Sequence, residues 1–207
     1  KKKKTVDHPR NLAFVPASPT RAAIMFDLVT SASSIHGAYW MEGAGGIFCE
    51  NEAMSWIVSL TGLPAGAFGV FTSGGTAANL SAIVTAREFW RRDDIYKREK
   101  GLIITSIGAH SSIKAMAKVA DVDILLVDTE ERLTGSDLRN TIEGLNFHQR
   151  KRLFAVVATG GTTNAGIIDD LEGIADICEQ ENLWFHVDAA YGGGALAADS
   201  VRHLLMV

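Results

Sequence analysis

The chain has 207 residues, 47% of them hydrophobic and 21% charged, with 20 Lys+Arg against 24 Asp+Glu and a formal net charge of −4. Apolar residues at this frequency, with no Gly or Pro period, exclude a disordered or collagen-like chain and suit one large globular fold. The acidic balance excludes a general nucleic-acid binder, which needs a basic face to displace counterions.

The basic run Lys1 to Lys4 reads as a solvated tail. Cys49 and Cys178 are too few for a disulfide scaffold and have no partners at metal-ligand spacing, so a reducing, cytoplasmic setting is expected. No apolar run approaches the roughly 18 residues of a membrane helix.

In chain order, Ser18-Pro19 reads as an N-cap followed by proline at the first helical position, opening a helix through Ile24, Met25, Leu28 and Val29. Gly43, Gly45 and Gly46 suggest a turn. A second helix is expected over 50–60, closed by Gly62 and Pro64. Residues 1–65 thus form an amino-terminal helical segment, distinct from 66–207.

From Gly66 onward, β-rich runs alternate with helical patterns. Strands are expected at 68–72, 102–106, 124–128, 153–159 and 183–188. Helices are expected near 76–92, 111–119, 136–147 and 169–180. Runs such as Phe154-Ala155-Val156-Val157 are continuously apolar rather than alternating, which suits strands covered on both faces. The alternation predicts an α/β fold with a mostly parallel, right-handed sheet.

Ligands of open parallel sheets bind beyond the carboxyl ends of the strands. Four expected junctions there carry glycine, small hydroxyl residues, or a His or Asp. They are Ser73-Gly74-Gly75-Thr76-Ala77-Ala78-Asn79, Gly108-Ala109-His110-Ser111-Ser112, Gly160-Gly161-Thr162-Thr163-Asn164 and Asp188-Ala189-Ala190-Tyr191-Gly192-Gly193-Gly194. The first opens a helix, where backbone N–H groups and the helix dipole favour an anion. It is neither a Walker A loop nor a G-x-G-x-x-G turn, and a tight turn capped by Thr76 is the alternative. His110 can be a cap or a functional imidazole, and Thr162-Thr163 a simple turn. Asp188 ends an apolar run, and a partly buried carboxylate there requires a cation or several donors. His186 alternates to the other face and reads as core or as support behind the site. A phosphate cradle, an imidazole plate, hydroxyl donors and a carboxylate on one edge suit pyridoxal phosphate, whose pyridinium nitrogen needs an acid partner.

The segments 69–80, Ala109-His110-Ser111-Ser112, Ala158-Thr159-Gly160-Gly161-Thr162-Thr163 and His186-Val187-Asp188-Ala189-Ala190-Tyr191-Gly192-Gly193 resemble, in order and spacing, the group II pyridoxal-phosphate-dependent amino-acid decarboxylases. His8-Pro9-Arg10 with Ala13-Phe14-Val15-Pro16 resembles that family's amino-terminal substrate-pocket segment. The resemblance implies the large domain of fold-type I coenzyme enzymes, incomplete over 66–207. It implies that Gly74, Gly75 and Thr76 hold the phosphate and that His110 stacks on the ring. Asp188 would pair with the ring nitrogen, Ala190 pack against the ring, and Thr163 contact the cofactor near Asp188. His110 and Asp188 would be the catalytic residues, with Phe14, Val15 and Pro16 lining the substrate site.

The same resemblance places the Schiff-base lysine in a His-Lys dipeptide beyond Val207. The expectation is therefore an amino-terminal piece, inactive alone, of a cytoplasmic homodimeric enzyme that converts an L-amino acid to its amine and CO2. The apolar Phe14-Val15-Pro16 favours an aromatic or apolar substrate. His36 and Ala38, smaller or more polar than the residues that aromatic decarboxylases of this family place there beside Trp40, count against a strictly aromatic pocket. Aminotransferase or carbon–carbon lyase chemistry on the same coenzyme, or a non-catalytic module lacking the lysine, are the alternatives.

Overall fold

The structure, a computed structural model, describes residues 8, 18–92, 96, 98–129 and 131–207. Phe14, Val15 and Pro16 lie outside the described residues. The chain divides into two compact units. One takes in the described residues up to Ser59 together with Leu63–Phe71, and the other joins Leu60–Gly62 to Thr72–Val207.

The first unit holds helix α1 (Arg21–Ser33) and most of α2 (Trp40–Thr61). The cap of α1 is Thr20, whose hydroxyl accepts from the Ala23 N–H at 3.1 Å. Ser18 therefore is not the cap, and Pro19 precedes it. The expected glycine turn at 43–46 is helical instead. A Cβ on Gly43 would stand 2.8 Å from the His36 carbonyl oxygen, so glycine here serves a close backbone approach. Glycine costs a helix only about 1 kcal/mol, which the rest of α2 can offset. The strand expected at 68–72 makes no ladder among the described residues. The Phe71 N–H donates to Glu50 Oε1 at 3.0 Å rather than to a neighbouring strand.

The second unit is a four-stranded parallel sheet in the order β2-β1-β3-β4, with β1 (Leu102–Ser106), β2 (Asp123–Val127), β3 (Leu153–Thr159) and β4 (Trp184–Asp188). Every residue of β1 and β3 is buried, as the continuous apolar runs require of central strands. On one face Ile103, Ala155 and Val157 pack against Ile83 of α3 (Gly75–Trp90) and Ile113 and Met116 of α4 (Ser111–Ala120). On the other, Ile104, Val156 and Ala158 meet Leu138 and Ile142 of α5 (Gly135–Glu143) and Ile174 of α7 (Leu171–Gln180). Each fully buried Val, Leu, Ile or Met side chain among these contributes about 1.5–3 kcal/mol, and the alanines less. The register between β1 and β3 slips by one residue after Leu102, pairing Ile103 with Ala155. Phe154 consequently joins Ala155 on the α3/α4 face, as a bulge demands.

The helix expected over 136–147 is two helices. α5 ends at Gly144, and α6 (Phe147–Arg152) begins with a fresh capping box between Asn146 and Gln149. Sequence periodicity continues across this break, but Asn146 draws the Gln149 N–H to its side chain at 2.9 Å and starts a new helix.

Candidate functional site

The connection from β1 to β2 runs to one side and the return to β3 runs to the other, so the chain reverses direction across the sheet between β1 and β3. Beyond the carboxyl ends of strands at such a reversal the loops diverge and leave a crevice. A cavity of about 550 Å³ opens there, lined by Ser106, His110 and Ser111 after β1 and by Thr162, Thr163 and Ile167 after β3.

At the start of α3, Gly74 is the N-cap, with φ 142° and ψ 167° and no side-chain cap. A Cβ at Gly74 would meet nothing within 4 Å. The Gly74 carbonyl accepts from the Ala77 and Ala78 N–H groups and from the Thr72 hydroxyl, at 3.0 to 3.1 Å. Gly75 and Thr76 occupy the first helical positions, where N–H groups have no intrahelical acceptor. They are exposed. An open helix start with positive dipole and no capping side chain fits an anion such as a phosphate.

Asp188 closes β4. Its Oδ2 accepts from Asn79 Nδ2 at 2.9 Å and its Oδ1 from the Ala190 N–H at 3.2 Å. A Cβ on Gly75 would lie 3.5 Å from the Ala190 Cβ. The carboxylate and the glycine turn are thus neighbours, joined through one turn of α3 and through the loop after β4. Beside Asp188 on β3, the buried hydroxyl of Thr159 has no partner among the described residues. An acid with two donors among the described residues, next to an anion cradle, suits a ligand carrying both a phosphate and a cationic ring nitrogen.

His110 caps α4. Its Nδ1 accepts from the Ser112 N–H at 3.2 Å and lies 2.9 Å from Ser112 Oγ. His110 is an exposed residue lining the cavity, and the cap engages only its Nδ1 among the described bonds. Thr163 is exposed in that cavity. Among the described residues, the hydrogen bonds to the Asp188 carboxylate come from Asn79 and Ala190 and not from Thr163. His186, two residues before Asp188 on β4, shares its face instead of alternating to the other one; it is half-buried, with Nε2 2.8 Å from the Oδ1 of the same Asn79 that bonds Asp188. Burial pushes the His186 pKa down, with the Asp188 charge opposing, a net shift that favours the neutral ring.

The structure adds two residues to the site, Asn79 and Ser112. Both are buried polar residues, Asn79 at 3% exposure and Ser112 at 5%. The available signal was spacing: Asn79 follows Gly75 by four positions and so shares its helix face. Of the described lysines, Lys100 pairs with Asp123 at 2.9 Å, and Lys151 lies over the Tyr96 ring. Lys114 and Lys118 line a separate hollow with Asp121 and Asp123, at the opposite end of the sheet from the cavity.

An all-parallel, doubly covered sheet with these features on its carboxyl edge has the architecture of the fold-type I pyridoxal-phosphate enzymes' large domain. The family described as "Pyridoxal-dependent decarboxylase conserved domain" matches residues 2–207. The chain belongs to that family. It is 34% identical over 205 residues to an aromatic-L-amino-acid decarboxylase of Bacillus atrophaeus, covering 97% of this chain and 42% of that protein. It is also 34% identical to an L-2,4-diaminobutyrate decarboxylase of Rhizobium meliloti, covering 92% of this chain and 39% of the relative. The crystal structure of mouse CSAD superimposes with a TM-score of 0.85 at 30% identity, over 97% of this chain and 44% of that one. The chain therefore spans less than half the length of these relatives.

Proposed function

We propose that the chain is part of a pyridoxal-phosphate-dependent carboxy-lyase that converts an L-amino acid to the corresponding amine and CO2. The observation that carries this reading is the adjacency of the open α3 start to Asp188. Gly74, Gly75 and Thr76 offer N–H groups and a hydroxyl to the coenzyme phosphate, with the helix dipole reinforcing them. Asp188 holds a proton at the ring nitrogen. His110 lays its exposed ring against the coenzyme, Ala190 packs on the other side, and Thr163 supplies a hydroxyl from the cavity wall. When bound, pyridoxal phosphate supplies the electron sink that takes up the bonding pair left as CO2 departs.

The proposed substrate carries an aromatic or apolar side chain, supported by the apolar composition of Phe14, Val15 and Pro16 and by the aromatic-L-amino-acid decarboxylase among the relatives. The diaminobutyrate relative makes basic amino acids the comparison set. Homodimerisation belongs to the same proposal. α1 buries none of its residues, and Ile24, Met25, Phe26, Leu28 and Val29 on it are all more than half exposed, an apolar surface of the kind subunits cover. No described helix is long and apolar enough to cross a membrane, and both cysteines are free; a cytoplasmic location is proposed from the thiols.

The test is made on the full-length protein. Purified protein is loaded with pyridoxal phosphate and offered aromatic, apolar and basic L-amino acids, and CO2 and amine are measured together. Stoichiometric CO2 and amine from an aromatic or apolar substrate are expected. Keto-acid product without CO2 would replace the decarboxylase reading with transamination.

A further inference from the structure

We infer that Asn79 is a positioning residue that fixes Asp188 and His110 as one unit, held in its own orientation by His186. The inference rests on the proposed roles of Asp188 at the coenzyme ring nitrogen and His110 at the ring face.

The Asn79 amide reaches three partners. Its Nδ2 donates to Asp188 Oδ2 at 2.9 Å and to Ser112 Oγ at 3.2 Å, using both hydrogens. Its Oδ1 lies 2.8 Å from His186 Nε2. The orientation follows from chemistry. An ionised carboxylate only accepts, so the amide nitrogen must face Asp188 and the oxygen must face His186. That requires a hydrogen on His186 Nε2, which a neutral ring supplies in one tautomer.

The chain of donors continues on the other side. Ser112 Oγ accepts from Asn79, which leaves its own hydrogen for His110 Nδ1 at 2.9 Å. His110 Nδ1 also receives the Ser112 N–H. An Nδ1 that accepts puts the proton of the neutral imidazole on Nε2. One buried amide on α3 therefore sets the carboxylate at the end of β4 and, through Ser112, the imidazole at the start of α4. These elements meet through side chains separated by 33 to 109 positions in sequence. A buried polar network of this kind is costly when broken, because each member left unpaired stays desolvated.

The experiment uses the full-length protein and reads equilibrium affinity of the apoenzyme for pyridoxal phosphate, kcat and KM separately, and apoenzyme melting temperature. Asn79→Leu keeps the volume and removes all three contacts. It is expected to weaken coenzyme affinity about tenfold and to lower kcat by a similar factor with KM little changed, the size of one hydrogen bond to a charged group. His186→Leu should reproduce part of this loss. His186→Gln should restore it, because a Gln amide nitrogen can donate where His186 Nε2 does. Should Asn79→Leu fail to give folded apoenzyme, Asn79→Ser, too short to reach Asp188, is read in the same assays. A folded Asn79 variant with wild-type coenzyme affinity and kcat overturns the inference, as does equal impairment of His186→Gln and His186→Leu. Asp188→Asn, measured alongside, separates the two levels. If it too leaves affinity and turnover intact, the assignment of Asp188 itself has failed. If it alone is impaired, only the role of Asn79 has.

Discussion

Asn79 Nδ2 stands 2.9 Å from Asp188 Oδ2, so a helix that begins at the glycine turn and a strand formed 109 residues later share one hydrogen bond at the carboxyl edge of the sheet. That bond places the only acid at the end of β4 within one helical turn of an open helix start.

Asp188→Asn preserves shape and can still accept at one oxygen, but it cannot carry the negative charge that keeps a ring nitrogen protonated. In the full-length protein it is expected to lower kcat/KM by about a hundredfold or more, the scale for loss of one preorganised electrostatic partner. The apoenzyme melting temperature should fall only modestly: the amide can accept just one of the bonds from Asn79 and Ala190, but this carboxyl is partly exposed, so the unpaired group stays hydrated. Steady-state amine production and a thermal melt measure the two effects.

Gly74→Ala tests the cradle. With φ at 142° and ψ at 167° the residue occupies a region that is essentially reserved for glycine, although a Cβ would meet no neighbour. The strain is about 1–3 kcal/mol. The backbone relaxes by rotating the turn, so coenzyme affinity should fall more than thermal stability. Titration of the apoenzyme with pyridoxal phosphate, compared with its melting curve, decides this.

Gly135→Ala acts on the packing between α5 and α7. The new Cβ would lie 2.5 Å from the Gly173 carbonyl oxygen, where α5 and α7 approach most closely. Backbone cannot yield as a flexible side chain can, and overpacking of this kind costs about 1–3 kcal/mol. A lower urea midpoint with an unchanged coenzyme affinity is expected.

Asp169 ties the loop after β3 to Leu133. Its Oδ1 accepts from the Leu133 N–H at 2.9 Å and its Oδ2 from the Thr159 N–H at 2.7 Å. Burial pushes its pKa above the ordinary 3.8, and the two N–H groups offset that only in part. A carboxyl with a raised folded-state pKa binds more protons folded than unfolded. Its contribution to stability is therefore greatest in acid and declines as pH rises from about 3.8 through the folded value, then stays flat. Asp169→Asn should remove this slope. It should also destabilise the protein by about 1–3 kcal/mol at neutral pH, because the amide can accept only one of the two N–H bonds. Denaturant melts at several pH values, wild type against variant, read both effects.

Cys178 is buried in the α5/α7 core, and desolvation pushes its thiol up to about 12. The thiolate is the reactive form. Iodoacetamide at neutral pH should leave Cys178 unmodified in the native protein and label it after unfolding, as followed by peptide mapping. Labelling of the native protein would show that this part of the core opens.

The sequence by itself determined the α/β alternation, the all-buried character of β1 and β3, and the residues at the loop ends. Continuous apolar runs can be hidden only in a sheet covered on both faces, and glycine and small hydroxyl residues mark where the backbone must turn. Local signals failed where two tendencies competed: the helix of α2 passes through Gly43, Gly45 and Gly46, and residues 68–72 have β-forming side chains but no ladder partner among the described residues. It took the folded contacts to show that Asn79 and Ser112 join His186, already readable as a support behind the site, in holding Asp188 and His110. Each is a polar residue with an ordinary local reading, and their relation depends on two helices, α3 and α4, and the strand β4 meeting across distances in sequence that no periodicity encodes.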